Sequence, residues 1–315
     1  MSKTLQFSKK VLGDEFAAAG EKDSRIVLLS ADSGPNSGFG EFISRFPGRY
    51  YEFGIMEECV IGAACGFATT GLIPVFCAPA PFVTGHAYEA FRISIGYMQA
   101  NVKLIGRNAG FSYSDLGPTH YALDDIGLVR LIPDVPILAP QDGNEMKNAF
   151  RAMMDYEGPV YMRVCNAGMP EICEDKPFVI GKGTVLFEGK DIAILSTGNT
   201  TAAAIHAAKK LRELGIQAMV VGMPTIWPLD IDLLKQAAKT ERIITVEEHF
   251  TSGGFGSIVA EACAEHCPVP VTRIGVPNGY ATSGAYEEMV AYYGLDSSGI
   301  AKTVQQTMKN KRATC

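Results

Sequence analysis

The stretch "EECVIGAACGFATTGLIPVFCA", residues 57–78, decides how this chain folds. From Cys59 to Tyr88 there is no Asp, Glu, Lys or Arg, a run long enough to raise a membrane span. Pro74, Pro79 and Pro81 interrupt it, and Gly62, Gly66, Gly71 and the Thr69–Thr70 pair dilute it. A buried helix over 57–71, closed by Gly71, followed by a buried strand "IPVFCA", explains the run better. It is then the core of a folded domain, and no membrane partner is expected. Two acids, Glu57 and Glu58, stand at its mouth.

Helix and strand alternate outward from this run. Residues 8–21, "GHAYEAFRISIGYM" (85–98) and "NEMKNAFRAMMDY" (144–156) read as helices. "RIVLLSAD" (25–32), "NVKLIGRN" (101–108), "VPILAP" (135–140) and "PVYMRV" (159–164) read as strands. Continuous apolar strands between helices predict a mostly parallel sheet covered on both faces. Residues 165–183 are rich in Pro, Gly and charge, and a second alternating unit begins with "DIAILSTG" (191–198). The expected fold is α/β with two domains, each a mostly parallel sheet flanked by helices. The expected division is 1–175, a linker at 176–185, and 186–315.

Composition narrows the function. The 315 residues carry a net charge of -6, with pI near 5.5, which disfavours nucleic acid or an anionic membrane as the main partner. Eight cysteines without a CxxC pair point to a reducing, cytoplasmic setting. Cys263 and Cys267, with His266 between them, are poorly spaced for structural zinc, so no metal ligands are expected. The N-terminus, "MSKTLQFSKKVLGDEF", has no apolar signal core.

Ligands of open parallel sheets bind beyond the carboxyl ends of strands, which singles out Asp32, Asn108 and the loop 110–120. Glu57 has two readings. It is a first-turn acid favoured by the helix dipole, or an acid that shares a face with Ile61, Ala64 and Ala68 and needs a partner. Glu58 falls beside Gly62 and Cys65 as polar lining. His120 lies in a loop, His206 and His266 in solvated helices, and His249 after a strand near an interface or channel. Arg163 ends a strand, either paired with an acid or free to grip an oxyanion with two parallel donors.

Four ordered stretches carry a family resemblance. "FGIMEECVIGAACGFATTGLIPVF" (53–76) resembles the cofactor helix of transketolases, and "SADSGPN" (30–36) is similar to their Ala-Asp loop. "GPTHYALDDIGLVRLIPDVPILAPQDGNE" (117–145) is similar to their Gly-Pro-Thr-His segment, and "ITVEEH" (244–249) with "GGFGSIVAE" (253–261) to their C-terminal domain. The resemblance covers nearly the whole chain. The family's metal-holding Gly-Asp-Gly motif is missing, as in the second subunit of a split transketolase.

The resemblance implies thiamine diphosphate as cofactor, with Mg2+ and the diphosphate held by a separate N-terminal subunit. It implies that Glu57 contacts the aminopyrimidine N1′ and favours its imino form, and that His120 handles substrate hydroxyl protons, a task suited to an imidazole. Asp32, Ile55, Phe82 and His86 would join Glu57 around the cofactor, with Phe82 stacked on the pyrimidine. Asn36, Asn108, Leu116 and Arg163 would face the substrate, with Arg163 on a terminal anion. Leu116 stands where most transketolases have an acid, and Asn108 where many have histidine, so the expected substrate is a non-standard anionic ketose. Self-association into a heterotetramer with the partner is implied too. The β-subunit of a 2-oxoacid dehydrogenase decarboxylase shares the plan, but "PVFCAPAPF" fits it less well. A non-catalytic scaffold is the third reading, and retention of Glu57 and His120 opposes it.

Overall fold

A computed structural model describes residues 5–313. Its larger sheet has seven strands, in spatial order Thr225–Trp227, Ile137–Leu138, Val160–Val164, Lys103–Arg107, Ile73–Pro79, Ile26–Ser30 and Tyr50–Glu52. All neighbours run parallel except the first pair. Every residue of the strands at 26–30, 73–79, 103–107 and 160–164 is buried, as a parallel sheet with helices on both faces requires. The smaller sheet has five strands, ordered Val271–Val276, Ile243–Phe250, Ile192–Ser196, Ala218–Gly222 and Thr184–Phe187, with only the last antiparallel.

The charge-free run folds as a helix, Glu57–Thr69, and a wholly buried strand, Ile73–Pro79. Gly71 ends the helix with φ +85°, a conformation that a side chain would strain. Its N–H bonds Ala68 O at 3.0 Å and that of Leu72 bonds Phe67 O at 3.3 Å, which satisfies two terminal carbonyls.

One expectation needs correction. The helix expected over 85–98 is broken into π turns at Phe82–His86 and Phe91–Tyr97 around a short α turn. Met98 and Ala100 donate five residues back, to Ile93 O and Ile95 O, at 3.4 and 3.1 Å. Gly96 lies against Ile132, where a Cβ would collide. A wide turn adds a residue and shifts the side-chain phase, which apolar spacing does not register. One strand also crosses the expected division. Thr225–Trp227, far beyond the irregular segment 171–183, completes the first sheet on Ile137–Leu138. One buried apolar cluster accordingly runs from Leu29, Val60 and Phe76 through to Leu195, Met223 and Phe255.

Candidate active site

The loops after the strands at 26–30, 73–79 and 103–107 gather at one edge of the larger sheet. Two of them hold strained backbone at the first residues after the strand: Asp32 has φ +53° and Asn108 φ +57°. Non-glycine residues in this region cost about 1–3 kcal/mol each and cluster at functional sites. Asp32 is held through its backbone N–H, which donates to Glu52 at 2.7 Å. Glu52 also accepts from Gly54 N–H at 2.9 Å and Tyr50 OH at 2.6 Å. Burial opposes its charge, yet these donors hold the carboxyl down at about 2. Glu52 thereby joins the Asp32 loop to the turn that leads into Glu57.

The two acids at the helix start differ sharply. Glu57 is 6% exposed, whereas Glu58 faces solvent. Among the described residues the Glu57 carboxylate has no hydrogen-bond partner, and His86 Nε2 stands 4.0 Å away. Glu57 and His86 line a shallow hollow with Met56, Gly62 and Ala90, and Ile55 beside it is 76% exposed. A buried carboxylate lacking a donor fits a ligand that brings one. Rings continue the line: Phe82 lies 6.5 Å from His86 and 5.3 Å from His120, and Tyr113 lies 6.0 Å from His120, all edge-on. His120 Nδ1 is 2.9 Å from Thr119 Oγ1.

The loop carrying His120 is clamped from the second unit. Glu248, fully buried, accepts the Phe111 N–H and is itself bonded by Asn199 and Tyr286. A Cβ at Gly110, φ +65°, would strike its carboxylate, so only glycine permits the approach. Ser114 Oγ donates to Gly284 O at 2.7 Å, and Tyr121 OH donates to Thr282 O. Leu116 sits in the turn so held, 52% exposed, and Asn36 is exposed in the loop after the strand Ile26–Ser30. Asn108 is fully buried and its Nδ2 has no partner.

Arg163 is paired with an acid, Asp125. It is 4% exposed, with Nε 2.8 Å from Asp125 Oδ2 and an Nη donating to Asp125 Oδ1, Ala122 O and Glu248 O at 3.2 Å each. Nε and one Nη are thus engaged inside the protein. Strand alternation turns it inward between the two units. No group of three or more His, Cys, Asp or Glu among the described residues is placed to hold a metal ion. No helix among them is long and apolar enough to cross a membrane.

Comparison with known proteins bears on this arrangement. Residues 7–169 match the transketolase pyrimidine binding domain and residues 181–300 the transketolase C-terminal domain. The chain is 37% identical over 312 residues to one subunit of the apulose-4-phosphate transketolase of Phocaeicola vulgatus, covering 98% of this chain and 100% of that one. The chain belongs to the transketolase family. A sulfosugar relative, the 6-deoxy-6-sulfo-D-fructose transketolase subunit SqwH of a Clostridium species, is 33% identical over 92% of this chain and 91% of its own. A split gene transketolase, solved as an inactive beta4 tetramer, superposes with TM-score 0.87 at 34% identity, over 97% of this chain and 99% of that one. The transketolase of Pichia stipitis shares the fold at 21% identity and TM-score 0.79, and this chain matches 46% of it.

In this transketolase-family chain the junction between the two units carries two buried groups of opposite tendency. Burial lowers the His249 imidazole to about 4, with Nδ1–H donating to Phe250 O at 2.7 Å and Nε2 accepting from Gly127 at 3.3 Å. Burial raises Glu247 to about 7, against two N–H donors from Phe255 and Gly256. His249 sits below its unfolded value near 6.5, so the unfolded chain binds more protons and stability falls as pH drops from 6.5 towards 4. Glu247 sits above its unfolded value near 4.5, so stability rises as pH drops from 7 to 4.5. Arg163, Asp125 and Arg273 face these groups and set the balance between them. Glu247→Gln is expected to unmask an acid-labile fold, and His249→Gln one that gains stability over the same window. Urea titrations between pH 4.5 and 7 measure both slopes; equal slopes in the two variants would refute the pairing.

Proposed function

We propose that this chain is the pyrimidine-binding half of a working two-subunit transketolase that moves a two-carbon ketol unit. Thiamine diphosphate, the cofactor of the family, supplies the carbanion chemistry when bound. In this reading Glu57 holds a proton against the pyrimidine ring, in a hollow that the apolar helix keeps dry. Phe82 and His86 flank the ring, Ile55 closes over it, and Asp32 borders it. His120 exchanges protons with substrate hydroxyls. An N-terminal subunit holds the diphosphate and Mg2+. Ile55, Met56, Tyr97 and Met98, all more than half exposed, supply apolar surface for subunit contact, and a heterotetramer is the expected assembly.

The observation that carries the substrate reading is Leu116 on the clamped loop. Leucine cannot accept a hydrogen bond, so a sugar hydroxyl buried against it loses its partner at a cost of about 1–3 kcal/mol. The two relatives named for apulose 4-phosphate and 6-deoxy-6-sulfofructose act, by name, on anionic sugars outside the common pentose phosphates. The donor is therefore read as a branched or otherwise modified anionic ketose. Mixing the chain with its partner, thiamine diphosphate and Mg2+ is expected to give a heterotetramer that turns over such a ketose. Xylulose 5-phosphate with ribose 5-phosphate is expected to be a poor pair. Turnover of that pair at about 10 per second would overturn the substrate reading and leave the cofactor reading intact.

A further inference from the structure

Among the described residues Cys59 is the only exposed cysteine. Cys65, Cys173 and Cys267 are half-buried, and Cys77, Cys165 and Cys263 are buried. Burial raises the Cys77 and Cys165 thiols to about 11 and the Cys263 thiol to about 12, and it pushes Cys173 higher still. The thiolate is the reacting form, so these four are inert at neutral pH. Cys65 and Cys267 pack against the main apolar cluster. A thiol-directed reagent in solution therefore meets Cys59 first.

The position of that thiol ties it to the site. Cys59 stands two residues after Glu57 in the first turn of the helix Glu57–Thr69, and it lines the same hollow as Glu57, Gly62 and His86. The hollow measures about 550 Å3, within the range of roughly 300–1,000 Å3 for small-molecule sites. The Glu57 carboxylate, 6% exposed, calls for a donor brought by a ligand. A group carried on Cys59 Sγ occupies the space that such a ligand needs. Gly62 and Gly66, three and seven positions on along the same helix face, are exposed, with open space where a Cβ would stand. No side chain at those positions screens the thiol.

We propose that Cys59 is a modification site: in the free subunit it exchanges with a low-molecular-weight disulfide of the glutathione type, and the attached group closes the hollow to the cofactor. The Cys59 sulfur attacks one sulfur of the disulfide, the S–S bond breaks, and the departing thiol carries away the Cys59 proton. One mixed disulfide and one free thiol result, so the cysteine is oxidised and half of the disulfide is reduced. A reducing thiol pool runs the exchange backwards and reopens the hollow. The effect on the cofactor rests on the thiamine diphosphate reading of the hollow; the capping of Cys59 does not.

The test incubates the free chain with glutathione disulfide and maps the adduct by peptide mass spectrometry. The treated chain is then mixed with its N-terminal subunit and Mg2+, and thiamine diphosphate is titrated in by calorimetry. Wild type is expected to carry the adduct on Cys59, to bind thiamine diphosphate at least tenfold more weakly than the untreated complex, and to recover with dithiothreitol. Cys59→Ser is expected to bind the cofactor equally with and without treatment, and Cys65→Ser to respond as wild type does. An adduct on another cysteine, no adduct, or a Cys59 adduct that leaves cofactor affinity unchanged would overturn the proposal. An untreated complex that binds no thiamine diphosphate would reject the cofactor reading, and with it the closing of the hollow, while the peptide map still decides the modification site.

Discussion

Glu57→Gln is expected to reduce turnover of the assembled enzyme by a factor of at least about 1,000, the upper part of the range for a positioned acid–base group. The side chain keeps its shape, so the melting temperature should hold within a few degrees. Glutamine has no proton to share with the pyrimidine ring, and that exchange is the whole role assigned to the acid. Glu58→Gln is the internal control. It lies one residue away on the solvent face and is expected to leave turnover within a few-fold of wild type. Steady-state assays with the partner subunit decide it. Equal losses in the two variants, or an active Glu57→Gln, would remove Glu57 from the site.

Arg163→Met is expected to act through folding and not through substrate. It removes one partner of an ion pair in which Asp125 is fully buried, and leaves that carboxylate, among the described residues, with only Tyr161 OH, at 2.8 Å. Breaking such a pair from one side costs about 3–5 kcal/mol. Denaturant unfolding should show the loss directly. The surviving folded fraction should keep a near-normal KM for an anionic ketose. A large rise in KM without loss of stability would return Arg163 to the substrate.

Much of the fold was legible because its signals are long. The run 59–88 excludes charge, and the strands at 26–30, 73–79, 103–107 and 160–164 are continuous apolar segments. The elements that escaped are short or out of phase. Thr225–Trp227 spans three residues, too few to show a period, and the π turns after Phe82 break the spacing on which helix reading depends. The site divided in the same way. Glu57, Phe82, His86 and His120 fall into one connected line of side chains. The partner of Arg163 was not legible because strand position alone does not reveal it, and Asp125 is 38 residues earlier. Glu52 and Glu248 left no signal, since each acts by accepting backbone N–H groups that only the folded chain brings near.

The strand Thr225–Trp227 bears on where a gene of this kind can be divided. This chain matches about half the length of its longer relatives, 48% of one and 46% of another. A break within residues 171–183 would look harmless on paper, since no regular element would be cut. It would strip the larger sheet of its terminal strand and leave Ile137–Leu138 as a naked edge open to pairing with other chains. It would also separate Glu248 from the loop it holds. A break inside the polypeptide is thus penalised, because each unit completes the other.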